Sequence, residues 1–123
     1  MAKIEKFEDL DCWKESRILV KNIYSNLNQN NLIDYDTKSQ LRRASLSIMN
    51  NIAEGFGRYS NKEFIRFLEY SSSSAAEVKS MIYVLEDLNY SDAKYLKEIH
   101  DQIDKTRKLV LGLIRYLKNR KLD

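Results

Sequence analysis

Proline is absent from all 123 residues of this chain, and glycine occurs only three times. With so few chain breakers, regular elements can end only at polar turns, which drives the chain towards a few long helices. Apolar residues recur at spacings of three and four along most of the length, the period of a helix, and no segment carries a clear strand pattern.

Four helical segments are predicted, over about residues 7–27, 35–59, 61–89 and 92–119. The first turns Trp13, Val20, Ile23 and Leu27 inward and ends in the asparagine-rich segment 28–31, a poor helix interior. The second starts from an N-cap at Asp34 or Asp36, and Gly55 and Gly57 are natural places for it to stop or bend. The third opens on Ser60, with Glu63 completing a capping box. Its positions Phe64, Leu68, Ser71, Ala75, Val78, Ile82 and Leu85 form a sustained heptad seam. The phase runs unbroken through Ser71 to Ser74, so these serines read as small residues of close helix approach and not as a linker. The fourth begins at Ser91 or Asp92 and buries Leu96, Ile99, Ile103, Thr106, Val110, Leu113 and Leu117, with Gly112 beside the seam as a close-contact point. The expected fold class is all-α: a single domain forming an antiparallel up-down-up-down four-helix bundle.

The stretch from Leu41 to Arg58 is the most distinctive. On a helix, Leu41, Ala44, Ile48, Ile52 and Phe56 share one face, and Arg43, Ser47, Asn50 and Glu54 lie almost opposite. Leu46, Met49 and Ala53 fall between them. The apolar sector therefore covers about half the circumference, wider than the ~100° stripe of an ordinary surface helix. Such a helix is expected to pack on more than one partner. Glu54 shares its face with Arg43 and Asn50, which suits either a hydrogen-bonded network or a solvated polar stripe.

The side chains that carry chemistry are scarce. Cys12 is the only cysteine, so no intrachain disulfide can form, and it reads as a small apolar side chain near a helix start. A di-iron bundle needs two Glu-x-x-His motifs, whereas His100 is the only histidine and has no glutamate at that spacing. No zinc site of the usual kind and no Ser-His-carboxylate arrangement can be assembled from it. His100 lies beside the seam and reads as a half-buried structural residue. Gly55-Phe56-Gly57 lacks the third glycine of a dinucleotide loop and follows a helix instead of a strand. No metal, cofactor or catalytic residue is expected. The longest apolar run, 109–114, is far shorter than the ~20 residues that span a bilayer. The N-terminus mixes charges without an apolar core, so a cytoplasmic protein with no membrane partner is expected.

The net charge is only +3, but its distribution is uneven. From Asp92 onward there are nine Lys or Arg against five Asp or Glu, while residues 60–91 carry three against five. The surplus sits at Lys105, Arg107, Lys108, Arg115, Lys118, Arg120 and Lys121. Cations at a helix C-terminus complement its dipole, and the same cations can face phosphate.

The run Leu41-Arg42-Arg43-Ala44, then Ser47-Ile48 and Asn51-Ile52-Ala53-Glu54-Gly55, resembles a bacterial family of four-helix-bundle proteins encoded by intervening sequences in 23S ribosomal RNA genes. Arg58, the Ser-Asn-Lys-Glu-Phe start of the third helix, the Ser74-x-x-Glu77 pair and the opening Phe7-Glu8-Asp9-Leu10 with Trp13 extend the resemblance over nearly the whole chain. It implies a homopentameric ring, with Asn50, Asn51, Glu54, Gly55, Ser74 and Glu77 as structural or assembly residues. A related accessory protein of diversity-generating retroelements binds nucleic acid and works with a reverse transcriptase. Two positions depart from the usual pattern. Met49 stands where proline is common, which implies a straighter second helix, and Ser73 where glycine is common, which implies a slightly relaxed helix approach.

These features give two expectations of function. One is a non-enzymatic oligomeric protein binding nucleic acid, RNA first. Its candidate phosphate contacts are Arg42, Arg43, Arg58 and Lys62 near the end of the second helix, and Lys105, Lys108, Arg115, Lys118 and Arg120 on the fourth. The other is an interaction scaffold that docks a protein such as a reverse transcriptase or ribosomal component.

Overall fold

The structure is a computed structural model that describes residues 4–120; Lys121 lies outside the described residues. Four helices make up almost the whole of it: α1 (Asp11–Gln29), α2 (Tyr35–Phe56), α3 (Asn61–Asp87) and α4 (Ala93–Lys118). Each packs on two neighbours around a square, α1 on α2 and α4, and α3 on α2 and α4. The turns between them are short, so consecutive helices run antiparallel, as expected for an up-and-down bundle.

Local chemistry explains the boundaries. The Asp34 side chain accepts from the backbone N–H of Thr37 at 3.0 Å to start α2, Ser60 accepts from Glu63 at 3.2 Å for α3, and Asp92 accepts from Lys94 at 3.2 Å for α4. Asp34 and Asp92, not Asp36 or Ser91, are the caps. At the end of α3, Asn89 adopts a left-handed φ of 56°. The Tyr90 N–H reaches back to the Leu85 carbonyl and the Asn89 N–H to that of Glu86, the paired bonds of a Schellman stop.

The first helix differs from expectation at both ends. Phe7–Asp9 form a separate 3-10 turn, and Leu10, extended at φ −75° and ψ 128°, breaks the chain before α1 begins. The far end continues through Asn28 to Gln29 before Asn30 leaves the helix. Asn30 then accepts from the N–H groups of Leu32 and Ile33 and donates to Tyr90 and Ser91, fastening the α1–α2 turn to the α3–α4 turn. Its role is to join two turns across the bundle, a long-range contact that local propensity does not report.

The core is divided. Leu19, Ile23, Leu41, Ile48, Val78, Ile82, Ile99 and Ile103 belong to one cluster, and Leu10, Cys12, Ile52, Leu68, Val110, Ile114 and Leu117 to the other. Each helix contributes a fully buried hydroxyl: Ser16, Ser45, Ser71 and Thr106. The Glu15–Lys105 ion pair and the Arg107–Ser72 hydrogen bond bring those of α1, α3 and α4 to a similar height. The Ser71 hydroxyl donates to the Ile48 carbonyl, three residues beyond Ser45. Ser16, Ser71 and Thr106 lie between the two clusters, whereas Ser45 lies within the first, between Ala44 and Ile48. Ser16, Ser45 and Thr106 return their hydroxyls to carbonyls one turn back in their own helices, so burial leaves none of them unpaired.

Several inward positions shift. Trp13, Val20, Phe64 and Leu113 are half-buried, while Leu19, Phe67 and Ile114 take fully buried places. Ser71 and Ser72 are buried as expected, but Ser73 is exposed, so the approach of α3 to its neighbours does not occur there. It occurs at Gly55. A Cβ there would stand 2.7 Å from that of Phe67 and 3.0 Å from the ring of Phe64. α2 runs through Gly55 and ends at Phe56, with Gly57 at φ −81° as its cap. Gly55 is therefore a packing residue and not a stop. Gly112 is the reverse case: a Cβ there meets only the Arg115 side chain, at 3.8 Å, so it is no close-contact point.

Candidate functional site

The up-and-down topology brings the N-terminus of α3 and the C-termini of α2 and α4 to one end of the bundle, together with the cations of those segments. Lys62, Arg66, Lys118 and Arg120 line a groove of about 510 Å³ between α3 and α4, with Asn61, Ile65, Glu69 and Leu117. A second groove of about 640 Å³ adjoins it and shares Asn61, Leu117 and Arg120 as a common wall. Its lining is largely apolar, including Phe56, Phe64, Leu113 and Tyr116, with Arg58 also present.

The expected phosphate contacts separate into groups. Arg58, Lys62, Lys118 and Arg120 meet at this end. Arg58 forms a 2.8 Å ion pair with Glu54 and lays its guanidinium 4.5 Å from the centre of the Phe67 ring. Arg42 and Arg43 are not with them: they sit in the first half of α2, about 20 Å from its C-terminus at ~1.5 Å per residue. Arg42 donates to Asn28 at 3.2 Å and lies over Tyr24, and Arg43 donates to Ser39 at 3.0 Å. Lys105 sits midway along α4 and pairs with Glu15 on α1 at 3.3 Å. Lys108 and Arg115 are exposed along the outer side of α4. Sequence reasoning omitted Arg66, Tyr59 and Tyr116. The signal lay in their nearness to α3's start and α4's end, but only the topology joins those segments.

The expected assembly residues also divide. Asn51 donates to the Ser47 carbonyl and hydroxyl at 2.8 and 2.9 Å, and the Ser47 and Ser74 hydroxyls share a 2.8 Å hydrogen bond across to α3. This relay holds α2 to α3. Asn50, Glu54 and Glu77 are exposed, and Glu54 bonds Arg58, so Arg43, Asn50 and Glu54 form no network within the chain. Of the polar stripe, Arg43, Asn50 and Glu54 are exposed, while Ser47 is taken up in the relay to α3.

Burial places the remaining reactive groups. Cys12 is buried, and loss of solvent pushes its thiol up to about 12, which keeps it neutral near pH 7. His100 is mostly buried against Tyr83, with ring centroids 4.3 Å apart, and its Nε2 lies 3.5 Å from Glu86. Both of its ring nitrogens are buried without a hydrogen bond. Among the described residues, no three His, Cys, Asp or Glu side chains come together as a group that could hold a metal ion. No helix among them is long and apolar enough to cross a membrane.

Comparison with known proteins bears on the bundle as a whole. No curated protein matches the chain significantly. Among solved structures, a protein of unknown function from the S23 ribosomal protein family of Bacteroides thetaiotaomicron superposes with a TM-score of 0.80. It is 21% identical, and the match covers 85% of this chain and 98% of that one, a likeness of fold. The model of the 23S rRNA-intervening sequence proteins matches residues 8–112, a span that takes in the Asn51–Ser47–Ser74 relay, Gly55 and nearly all of the four helices. By that match the chain belongs to the family of 23S rRNA-intervening sequence proteins.

Proposed function

We propose that this protein is a non-enzymatic, cytoplasmic nucleic-acid-binding protein that works as a homo-oligomer, with RNA as its first target. The observation that carries the reading is the convergence of Lys62, Arg66, Lys118 and Arg120 on one groove at one end of the bundle, where Glu69 lines the groove and Glu63 lies 3.7 Å from Arg66. The opposite end carries Asp34, Asp36, Glu86, Asp87 and Asp92 beside Lys38 and Lys94. Phosphates are drawn to the cations of this groove. The family's description ties it to ribosomal RNA genes, which makes RNA the ligand to test first.

Self-assembly is supported by exposed apolar side chains along α3. Tyr70, Tyr83, Val84 and Leu88 are each about half exposed. A monomer gains nothing from displaying that strip to water. A neighbouring subunit would cover it, and the family resemblance suggests a ring of five. Light scattering should give a particle several times the 14.6 kDa of one chain. A clean monomer at micromolar concentration would remove the assembly from the reading.

The binding test is fluorescence anisotropy with a labelled single-stranded RNA. With four phosphate contacts per subunit, affinity should fall about fiftyfold between about 50 and 200 mM salt. Binding that ignores salt, or none at low salt, counts against the reading. The same α3 strip favours an alternative, a scaffold that docks a protein such as a reverse transcriptase or ribosomal component. A partner that copurifies after nuclease treatment, with no RNA affinity in the pure protein, would select it.

A further inference from the structure

We propose that the apolar groove at the basic end holds one unpaired nucleobase, while the phosphates of the same strand run through the adjoining groove. This rests on the nucleic-acid reading and assigns it a geometry.

The two grooves differ in chemistry but share a wall. One presents Phe56, Phe64, Leu113 and Tyr116, and the other presents Lys62, Arg66, Lys118 and Arg120. A simple anion has no use for the aromatic lining, and a purely apolar ligand has no use for the cations. A flat aromatic group joined to phosphate uses both, because every base has a face to stack and every linkage a charge to neutralise. At about 640 Å³ the first groove falls within the size range of small-ligand sites.

The rim fits the same ligand. Tyr59 is fully exposed in the turn between α2 and α3, so its ring is free to close over a base. Tyr116 is 44% exposed and already carries the Arg120 guanidinium 5.7 Å from its ring centre. Arg120 belongs to both grooves, and so can stack on a base while meeting its phosphate. A base inside a duplex has its faces covered by its neighbours and cannot enter. Single strands are therefore selected without sequence readout.

The test compares three labelled probes on the full-length protein at low salt: a short oligoadenylate, the same strand annealed to its complement, and a strand of equal length carrying abasic sugars. The oligoadenylate should bind about tenfold more tightly than the other two, the worth of roughly one stacked base. Tyr59→Ala with Tyr116→Ala should abolish that margin while leaving the salt dependence intact, with circular dichroism unchanged. Equal, salt-sensitive binding of all three probes overturns the base site and leaves nucleic-acid binding standing. A margin that survives the double substitution also overturns it. Absence of salt-sensitive binding by any probe overturns both. If the groove is instead filled by the chain's own N-terminal segment or by a second copy, the three probes again bind alike.

Discussion

At the scale of single residues, two glycines in helices make opposite predictions. Alanine normally stabilises a helix interior by about 1 kcal/mol relative to glycine. At Gly55 the added methyl would meet backbone-anchored atoms of Phe67 and Phe64, so Gly55→Ala should instead destabilise by about 1–3 kcal/mol through overpacking. At Gly112 the nearest atom is the far end of a flexible arginine, so Gly112→Ala should raise the melting temperature by a few degrees. Scanning calorimetry on the two variants checks both signs. Cys12 is the third case. Its burial and raised pKa predict that the native protein resists thiol reagents and that denaturant exposes the thiol. Rapid modification of the folded protein at neutral pH would contradict the placement of Cys12 in the core.

At the scale of elements, the caps decide where helices begin and how they respond to pH. The Thr37 N–H, and then its hydroxyl, hold the Asp34 carboxyl below the usual carboxylate range. A lowered pKa means that the ionised cap stabilises the native state above the unfolded-state value, and that this contribution is lost as pH falls through the folded one. Asp34→Ala should thus lower the melting temperature at neutral pH, and the two proteins should converge in strong acid. A gap that persists at low pH would show that the cap acts without its charge. At the other end of α3, Asn89→Ala should cost about 1 kcal/mol, because a left-handed φ disfavours a residue with a plain Cβ, and Asn89→Gly should not. Denaturant titration separates the two.

At the scale of the whole molecule, topology gathers cations of α3 and α4 at one groove, at one end of the bundle. The cations of that end come from two segments far apart in sequence, residues 58–66 and 118–120, and Arg42 and Arg43 lie well away from them. On the proposed function, Lys118→Gln with Arg120→Gln should flatten the dependence of RNA affinity on salt by about one to two contacts. Arg42→Gln with Arg43→Gln should leave it unchanged unless oligomerisation brings those arginines onto the same path. Anisotropy titrations of both pairs at several salt concentrations decide between these arrangements.

Much of the fold was legible in the amino-acid order because it is set by local rules. Scarce breakers, helical spacing and capping residues fall within a few positions of one another, so four helices and their approximate ends follow. The heptad through Ser71 to Ser74 outweighed the polarity of the serines for the same reason. What sequence order could not supply was distance between segments. The role of Gly55 depends on Phe67, the end of α1 on a bond from Asn30 to Tyr90, and the divided core on hydroxyls at matching heights in α1, α3 and α4. The basic end is of this kind too. Cations in α3 and α4 become neighbours only when the bundle closes, while Arg42 and Arg43, within the run that carries the family resemblance, are carried away along the rise of α2. Periodicity determines which face of a helix is buried; only packing decides which ends meet, because that depends on how the helices are arranged around one another.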